Sequence, residues 1–248
     1  MTFFWSIILG VVQGLTEFLP VSSSGHLAIL QSLIPNFSQP GVVFDVTLHL
    51  ATTLAVIYFF RQSILKLKAK YILLLIVGTI PAVVVGFLFK DFIEPLFGSV
   101  ALVGTALLVS SLLNFLTDRQ TAKIKIPSFL DSLIIGFFQA IAIIPGLSRS
   151  GSTIFAGSSL GVDKKEAAKF SFLLSVPAVL GANALEIYSH SSEIENIDYF
   201  VYGAGFLAAF ITGYLAIKVV IDLLAKNKFR IFAVYCLLLG GAALFFLK

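Results

Sequence analysis

The sequence predicts an all-α polytopic integral membrane protein, built as one membrane domain over residues 1–248, and three observations support this. First, 58% of the 248 residues are hydrophobic and only 12% are charged, with a mean hydropathy of +1.00. Soluble domains carry about 25% charged residues. Second, apolar stretches of about 20 residues, the length that crosses a bilayer, recur along the chain. Third, basic residues concentrate in alternate connections between these stretches.

Six apolar blocks have the length of a transmembrane helix. They lie at about 42–60, 71–89, 100–117, 169–188, 199–220 and 230–247. We expect their boundaries to hold to within a few residues, because the ends of helices are the least predictable part. The longest polar connection between blocks is about ten residues, so no water-soluble domain fits between them.

Basic residues mark one side of the membrane. Four connections hold 13 of the 17 Lys and Arg residues: 61–70, 118–128, 161–169 and 222–230. The two other connections, near 90–94 and 193–198, carry an excess of Asp and Glu. Because basic loops remain in the cytoplasm, we expect the four basic connections on that side. The positive charge lies in loops and forms no stripe for nucleic acid, which we exclude as a partner.

The two halves of the chain match at an offset of 126 residues, about half its length. At this offset Ser22-Ser23-Ser24-Gly25 aligns with Ser148-Arg149-Ser150-Gly151. The same offset aligns Phe44 with Phe170, each near the start of a spanning block. We therefore predict a duplication, with repeat 1 at about 1–122 and repeat 2 at about 127–248.

A broken apolar segment opens each repeat. Residues 3–34 are interrupted at 20–25, and residues 129–160 are interrupted at 145–151. If all four basic connections are cytoplasmic, residues 129–160 must enter and leave the membrane on the same side. We expect each half to be one re-entrant helical hairpin followed by three transmembrane helices, and an odd number of spans inverts the two halves. Inverted repeats with broken helices place a polar site where the breaks meet.

Ionisable residues at the two breaks are the candidate catalytic residues. A charged side chain at membrane depth is unfavourable and is therefore a functional candidate by default. Gln13 and Glu17 are four residues apart and share one helix face. His26 follows the first break, and Arg149, whose guanidinium suits bidentate phosphate binding, lies in the second.

Small hydroxyl residues and glycine surround these groups. A helix that starts at a break presents free N–H groups and a positive dipole end, and both bind phosphate. The predicted substrate-binding positions are Ser22, Ser24, Gly25, Ser148, Arg149, Ser150 and Thr153. This inventory contains the nucleophile or activated water, the charge neutralisation and the proton acceptor that phosphoryl transfer requires. The same set would also bind a transported anion.

Two further pairs of polar residues occur inside the apolar blocks. Asp45 and His49 are four residues apart at the start of a span, and they either face the cavity or form a local structural pair. Asn183 and Glu186 lie toward the outer end of another span, and we expect them to reach the membrane interface. These residues rank below those at the breaks as site candidates.

The residues at the two breaks resemble the signatures of a known family. Gln13-Gly-Leu-Thr-Glu17-Phe-Leu-Pro-Val-Ser-Ser-Ser-Gly-His26 is similar to the first signature of the undecaprenyl-pyrophosphate phosphatase family, also called the bacitracin-resistance protein family. The run Pro145-Gly-Leu-Ser148-Arg149-Ser150-Gly-Ser-Thr153 is similar to its second signature. The similarity extends along the chain and includes Phe44-Asp45-Val and the segment 170–177.

The resemblance implies a function, a membrane and a cofactor. It implies hydrolysis of undecaprenyl (C55) pyrophosphate to undecaprenyl phosphate and inorganic phosphate, which recycles the peptidoglycan lipid carrier. It implies a multi-pass protein of the bacterial plasma (inner) membrane whose site opens to the outer face. It also implies a divalent cation, Mg²⁺ or Ca²⁺. The partners are then the polyprenyl pyrophosphate and membrane lipids, while the oligomeric state stays open, with a homodimer as one alternative.

The resemblance also implies residue roles. The implied active-site set is Glu17, Ser23, His26, Ser148, Arg149 and Thr153. Arg149 is expected to hold the pyrophosphate, and Glu17 is expected to bind the metal or act as a base. The nucleophile is Ser23, His26 or a water between them. The family's first motif allows Glu or Gln at the position of Gln13, and Gln leaves one carboxylate fewer for a metal.

Two alternatives compete with a phosphatase of this family. The first is a transporter or flippase of a lipid phosphate or another anion, because inverted repeats with broken helices are a common transporter scaffold. The second is the type-2 phosphatidic acid phosphatase superfamily, whose motif places a His six residues after the Arg of a Ser-Arg pair. Here Phe155 is six residues after Arg149, which argues against that superfamily.

Overall fold

The computed structural model describes residues 2–33, 42–121, 126–189 and 198–246, and most of them lie in helices. In chain order the α-helices are α1 (Phe3–Phe18), α2 (Ser23–Leu33), α3 (Val42–Phe59), α4 (Arg61–Ile64), α5 (Ala69–Leu88), α6 (Lys90–Ile93), α7 (Val100–Arg119), α8 (Phe129–Ile141), α9 (Arg149–Ser159), α10 (Lys164–Ser189), α11 (Tyr199–Ala225) and α12 (Arg230–Phe246). A 3₁₀ segment, Glu94–Gly98, precedes α7. Residues 123 and 125 of one basic connection and residues 193–197 of the acidic one lie outside the described residues.

The all-α, polytopic prediction is confirmed. Each of the six predicted apolar blocks corresponds to one helix, namely α3, α5, α7, α10, α11 and α12. Of these, α5, α7, α10 and α11 are long and apolar enough to cross a membrane by length and composition. The largest differences are of five residues: α11 ends five residues after its predicted block, and α10 begins five residues before its block. It begins there because Asp163 caps it, accepting from the backbone N–H groups of Lys165 at 3.0 Å and Glu166 at 3.1 Å.

Glycines allow three pairs of helices to cross closely. A Cβ atom on Gly10 of α1 would lie within 3.0 Å of the backbone of α11. A Cβ on Gly136 of α8 would lie within 3.0 Å of the backbone of Gly78 in α5. A Cβ on Gly240 of α12 would lie within 3.0 Å of the backbone of Gly104 in α7. Small residues at helix crossings are typical of membrane proteins, in which close packing replaces the hydrophobic effect as the source of association.

The two broken segments predicted from the sequence are present as interruptions between helices. The chain leaves the α-helical conformation between α1 and α2 and again between α8 and α9. The helices on either side of each interruption contact one another. Val21 of the first interruption belongs to the same buried hydrophobic cluster as Phe18, Phe170 and Phe172. Most residues of the interruptions, including 20–22 and 145–148, are buried in the protein.

Candidate active site

The two interruptions pack directly against each other. A Cβ on Gly25 would lie 3.3 Å from the Cα of Gly146, and a Cβ on Gly151 would lie 3.2 Å from the Cβ of Pro20. Gly146 has a φ of +89°, a left-handed conformation that only glycine adopts without strain. The first turns of α2 and α9 are consequently neighbours, although they are far apart in sequence.

Side chains of α7 and α12 satisfy the backbone of the interruptions. Ser110 donates to the carbonyl oxygen of Gly146 at 3.2 Å and accepts from the N–H of Ser148 at 2.8 Å. The amide of Asn114 donates to the carbonyl oxygen of Pro20 at 2.6 Å, and the thiol of Cys236 lies 3.5 Å from the same oxygen. These contacts provide the partners that irregular backbone loses when it leaves a helix.

Two of the predicted substrate-binding serines are helix caps. The Ser22 hydroxyl accepts from the N–H of Gly25 at 3.2 Å, and the Ser148 hydroxyl accepts from the N–H of Gly151 at 3.1 Å. Ser22 holds this position with a φ of 68°. A capping serine stabilises the first turn of its helix. Both serines therefore position the start of a site helix, and their predicted contact with substrate stays a prediction.

Glu17 is the centre of the site. One carboxylate oxygen accepts from Nη2 of Arg149 at 2.5 Å, and the other accepts from the Ser23 hydroxyl at 2.8 Å and from Nε2 of Gln13 at 3.0 Å. The Glu17 side chain is only 8% exposed. The pair of Glu17 and Arg149 thus joins the two interruptions through a buried ion pair, and it brings four predicted site residues together.

His49 extends this network. Its Nδ1 lies 3.1 Å from Nε2 of Gln13 and 3.8 Å from a carboxylate oxygen of Glu17. Since the Gln13 amide nitrogen is a donor, Nδ1 of His49 accepts from it. Asp45, one helical turn earlier, lines the same cavity as His49. Of the two alternatives for this pair, the structure supports the one in which both residues face the cavity.

His26 makes contacts of a different kind. Its Nδ1 lies 2.7 Å from the carbonyl oxygen of Ser22, and its Nε2 lies 2.7 Å from the hydroxyl of Tyr235. The rings of His26 and Tyr235 are nearly parallel, with centroids 5.5 Å apart. Both ring nitrogens are therefore engaged by groups outside the Glu17–Arg149 pair. The catalytic role of His26 stays a prediction, and Tyr235 is a neighbour that the sequence did not indicate.

The remaining predicted hydroxyls face helix interfaces. The fully buried Thr153 hydroxyl donates to the carbonyl oxygen of Arg149 at 2.9 Å and lies 2.6 Å from the Ser171 hydroxyl of α10. The Ser150 hydroxyl lies 3.4 Å from the carbonyl oxygen of Leu19. Ser24 lies with its hydroxyl 3.3 Å from that of Ser22. None of the contacts of these three hydroxyls reaches the Glu17–Arg149 side chains, and their predicted binding of phosphate stays a prediction.

A cavity of about 550 Å³ borders the ion pair. Its polar lining includes Asp45, His49, Lys90, Gln139, Arg149, Asn183 and Glu186. Much of its apolar lining comes from α5 and α10, including Val83, Phe87 and Val179. Nη1 of Arg149 is buried and has no hydrogen-bond partner among the described residues. The site therefore combines an unpaired cationic donor with an apolar enclosure, which suits an amphiphilic anion.

Comparison with known proteins supports the resemblance seen in the signatures. The family model described as "Bacitracin resistance protein BacA" matches residues 6–242. The chain is 40% identical over 260 residues to an undecaprenyl-diphosphatase of Christiangramia forsetii, covering 99% of this chain and 98% of that protein. It is 42% identical over 255 residues to an undecaprenyl-diphosphatase of Methanococcus maripaludis strain C6, covering 97% and 99%. A protein of the same name from Carboxydothermus hydrogenoformans is 40% identical over 250 residues, covering 97% and 95%.

Proposed function

The chain belongs to the bacitracin resistance protein BacA family, and from this we propose that it is a membrane phosphatase. It hydrolyses undecaprenyl (C55) pyrophosphate to undecaprenyl phosphate and inorganic phosphate, the reaction that recycles the peptidoglycan lipid carrier. Relatives that are 40% and 42% identical are named undecaprenyl-diphosphatase. The structural observation that supports the proposal is the buried pair of Glu17 and Arg149, with Ser23 on the second carboxylate oxygen.

Arg149 binds the pyrophosphate in this proposal. Its Nη2 contacts Glu17, whereas its Nη1 lacks a partner among the described residues. A buried donor without a partner is unfavourable, and a phosphate oxygen is a strong acceptor for a guanidinium. Arg149 can therefore donate a hydrogen bond from Nη1 to a phosphate oxygen while its Nη2 still donates to Glu17.

Ser23 is the proposed nucleophile, and Glu17 is its base. The Ser23 hydroxyl already donates to Glu17 at 2.8 Å, which is within the range for proton transfer. Attack of Oγ on the distal phosphorus forms an O–P bond and breaks the bond from that phosphorus to the bridging oxygen, while the Oγ proton passes to Glu17. Undecaprenyl phosphate leaves with the bridging oxygen, and water then releases inorganic phosphate from Ser23. Arg149 stabilises the charge that develops on the phosphate oxygens.

His26 and water remain the alternative nucleophiles. The contacts favour Ser23, because both ring nitrogens of His26 are engaged by Ser22 and Tyr235. Acid quenching after mixing with substrate labelled at the distal phosphorus would distinguish them. Label on Ser23 supports the proposed step, and label on His26 transfers the nucleophile role to that residue. If no label stays on a protein active in steady state, water attacks directly.

A divalent cation, Mg²⁺ or Ca²⁺, assists in this proposal, and the site offers it oxygen ligands. Glu17 supplies a carboxylate, and Oε1 of Gln13 is buried without a hydrogen-bond partner in the described part of the chain. The described residues contain no group of three or more His, Cys, Asp or Glu residues that could hold a metal alone. Such a cation would complete its ligands with phosphate oxygens and water, as Mg²⁺ commonly does. When bound, it would neutralise charge on the pyrophosphate.

We also propose the inverted repeat, because corresponding contacts recur at an offset of 126 residues. The cap of Ser22 on Gly25 corresponds to that of Ser148 on Gly151. The contact of Cys236 with the Pro20 carbonyl corresponds to that of Ser110 with the Gly146 carbonyl. The packing of α1 on α11 likewise corresponds to that of α8 on α5. These contacts support a unit repeated in the two halves, and in the proposal each unit is one re-entrant hairpin followed by three spans.

The site opens to the outer face of a bacterial plasma (inner) membrane in this proposal. Lys90 and Glu186 line the cavity and form an ion pair at 3.2 Å. They lie beyond the end of α5 and near the end of α10, whereas the basic segments 61–70 and 161–169 lie at the opposite, N-terminal ends of the two helices. Because basic connections stay cytoplasmic, the Lys90 end of the cavity is the outer end.

The isoprenoid tail follows the apolar lining of the cavity. Val83 and Phe87 of α5 line the cavity, and they are 55% and 71% exposed on the bundle surface. Leu185 of α10 lines it too and is 53% exposed. A tail along these side chains passes from the site into the bilayer without crossing a polar surface. Only the pyrophosphate then has to enter the polar part of the site.

Phosphate release by purified protein tests the function. Protein in detergent micelles is mixed with undecaprenyl pyrophosphate, and inorganic phosphate is measured over time. Release needs no second compartment, so it supports an enzyme over a transporter or flippase. Properly folded protein that releases no phosphate, with Mg²⁺ and Ca²⁺ supplied, contradicts the proposed function. Shorter prenyl pyrophosphates in the same assay show how the rate of phosphate release depends on the length of the prenyl chain.

A further inference from the structure

Gln139 has a buried side-chain amide that makes no hydrogen bond to the described residues. It lies in the last turn of α8 and is 3% exposed. Neither its Nε2 nor its Oε1 has a hydrogen-bond partner among the described residues. Leaving a buried amide unpaired is unfavourable, and native proteins rarely do so without a ligand or water at the position. Gln139 also lines the cavity that Arg149 lines.

Comparison with Gln13, which lies 126 positions earlier, explains why this amide is free. Nε2 of Gln13 contacts Glu17 and His49. The positions corresponding to these two partners are Ile143 and Ser175. Ile143 cannot accept a hydrogen bond, and the Ser175 hydroxyl donates to the carbonyl oxygen of Phe172 at 2.7 Å. Gln13 therefore holds Glu17 through its amide, whereas Gln139 has no corresponding partner among the described residues.

We propose that Gln139 is a substrate-binding residue whose Nε2 donates to a non-bridging oxygen of the pyrophosphate held by Arg149. The inference rests on the proposed function and extends it. Gln139 and Arg149 line one cavity, and each has a buried donor, Nε2 and Nη1 respectively, without a partner among the described residues, while a pyrophosphate offers several strong acceptors. An amide adds a donor without adding charge, so it strengthens phosphate binding while leaving the ion pair of Glu17 and Arg149 undisturbed.

The inference makes opposite predictions for binding and for stability. In Gln139→Leu the substrate loses a hydrogen bond to a charged group, so the KM rises about tenfold or more. In Gln139→Glu the new carboxylate repels the pyrophosphate, so the loss is larger. The unliganded Gln139→Leu protein is expected to be as stable as the parent or more stable, because an unpaired amide has been replaced by an apolar group of similar size. If Gln139 only supported the fold, Gln139→Leu would instead lower the stability of the unliganded protein and leave the KM unchanged.

The experiment measures KM and kcat for undecaprenyl pyrophosphate in micelles, together with melting temperature without and with inorganic pyrophosphate. Gln139→Leu, Gln139→Met and Gln139→Glu are compared with the parent. Gln120→Leu and Gln120→Glu are the matched controls, because the Gln120 side chain donates to the carbonyl oxygen of Leu116 in the adjoining helix α7 at 3.3 Å and does not line the cavity. A raised KM, an undiminished unliganded melting temperature and a reduced pyrophosphate-induced shift, all absent from the controls, support the inference.

Three results would overturn it. The first is a parent-like KM and pyrophosphate shift in Gln139→Leu and Gln139→Met. The second is a lowered melting temperature with unchanged KM, which assigns Gln139 to the fold. The third is failure of these apolar variants to fold, because the inference requires the unliganded protein to tolerate them. If the parent itself releases no phosphate, the proposed function fails separately, and the pyrophosphate shift still decides whether Gln139 binds this anion.

Discussion

The ion pair of Glu17 and Arg149 can be dissected one partner at a time. The two side chains are 8% and 17% exposed, and their closest atoms are 2.5 Å apart. Arg149→Met leaves a buried carboxylate without its cation, and Glu17→Gln leaves a buried guanidinium without its anion. The double variant removes both charges and keeps side chains of similar size. We expect each single variant to be much less stable than the parent and the double variant to recover part of the loss.

The expected loss of stability in the single variants follows from the burial of the ion pair. Removing one partner of a buried ion pair destabilises by about 3–5 kcal/mol. For a chain of this size that loss lowers the melting temperature by about 6–20 °C. Because the double variant leaves no unpaired charge, its loss should be smaller than the sum of the single losses by at least about 2 kcal/mol. Phosphate release should be absent from all three variants, since neither anion binding nor the base is restored.

Unfolding in detergent micelles and phosphate release are measured on the same preparations. The pair of Lys90 and Glu186 is the control, because its side chains are 40% and 31% exposed. A partly exposed pair is expected to couple by less than about 1 kcal/mol in the same cycle. Additive losses for Glu17 and Arg149 would show that they do not interact as the structure indicates. Activity in the double variant would refute their roles in catalysis.

Three further predictions test separate parts of the site. Ser23→Ala should reduce phosphate release by about 10³-fold or more and abolish any phosphoserine, while Ser63→Ala in α4, outside the site, should retain activity; equal losses would contradict a nucleophile at Ser23. Gly136→Val should lower the melting temperature because a side chain there meets the backbone of Gly78, whereas Gly181→Ala, with open space around it, should not; equal stability would contradict close packing of α5 on α8. A chelator should stop phosphate release and Mg²⁺ or Ca²⁺ should restore it, whereas activity in excess chelator would remove the cation from the mechanism.

Local composition was sufficient to predict the helices. Six apolar blocks became six helices because a segment of about 20 apolar residues in a bilayer has few alternatives to forming its own hydrogen bonds. The interruptions near Pro20 and Pro145 were predictable for the same local reason, since proline, glycine and serine end helices wherever they cluster. Glu17 and Arg149 were identified because an ionisable side chain in such a segment requires a partner or a function.

The contacts among these residues were decided by tertiary packing. The sequence left His49 between two alternatives and left His26 as one of three candidate nucleophiles, whereas the structure joins His49 to Gln13 and pairs His26 with Tyr235. It also leaves the Gln139 amide without a partner in the described part of the chain, which no pattern in the sequence indicated. Periodicity along a helix tells which residues share a face, but the partner of that face depends on how helices distant in sequence pack. The sequence by itself determined the helices, the breaks and the chemistry available, and only the tertiary structure decided which of those groups meet.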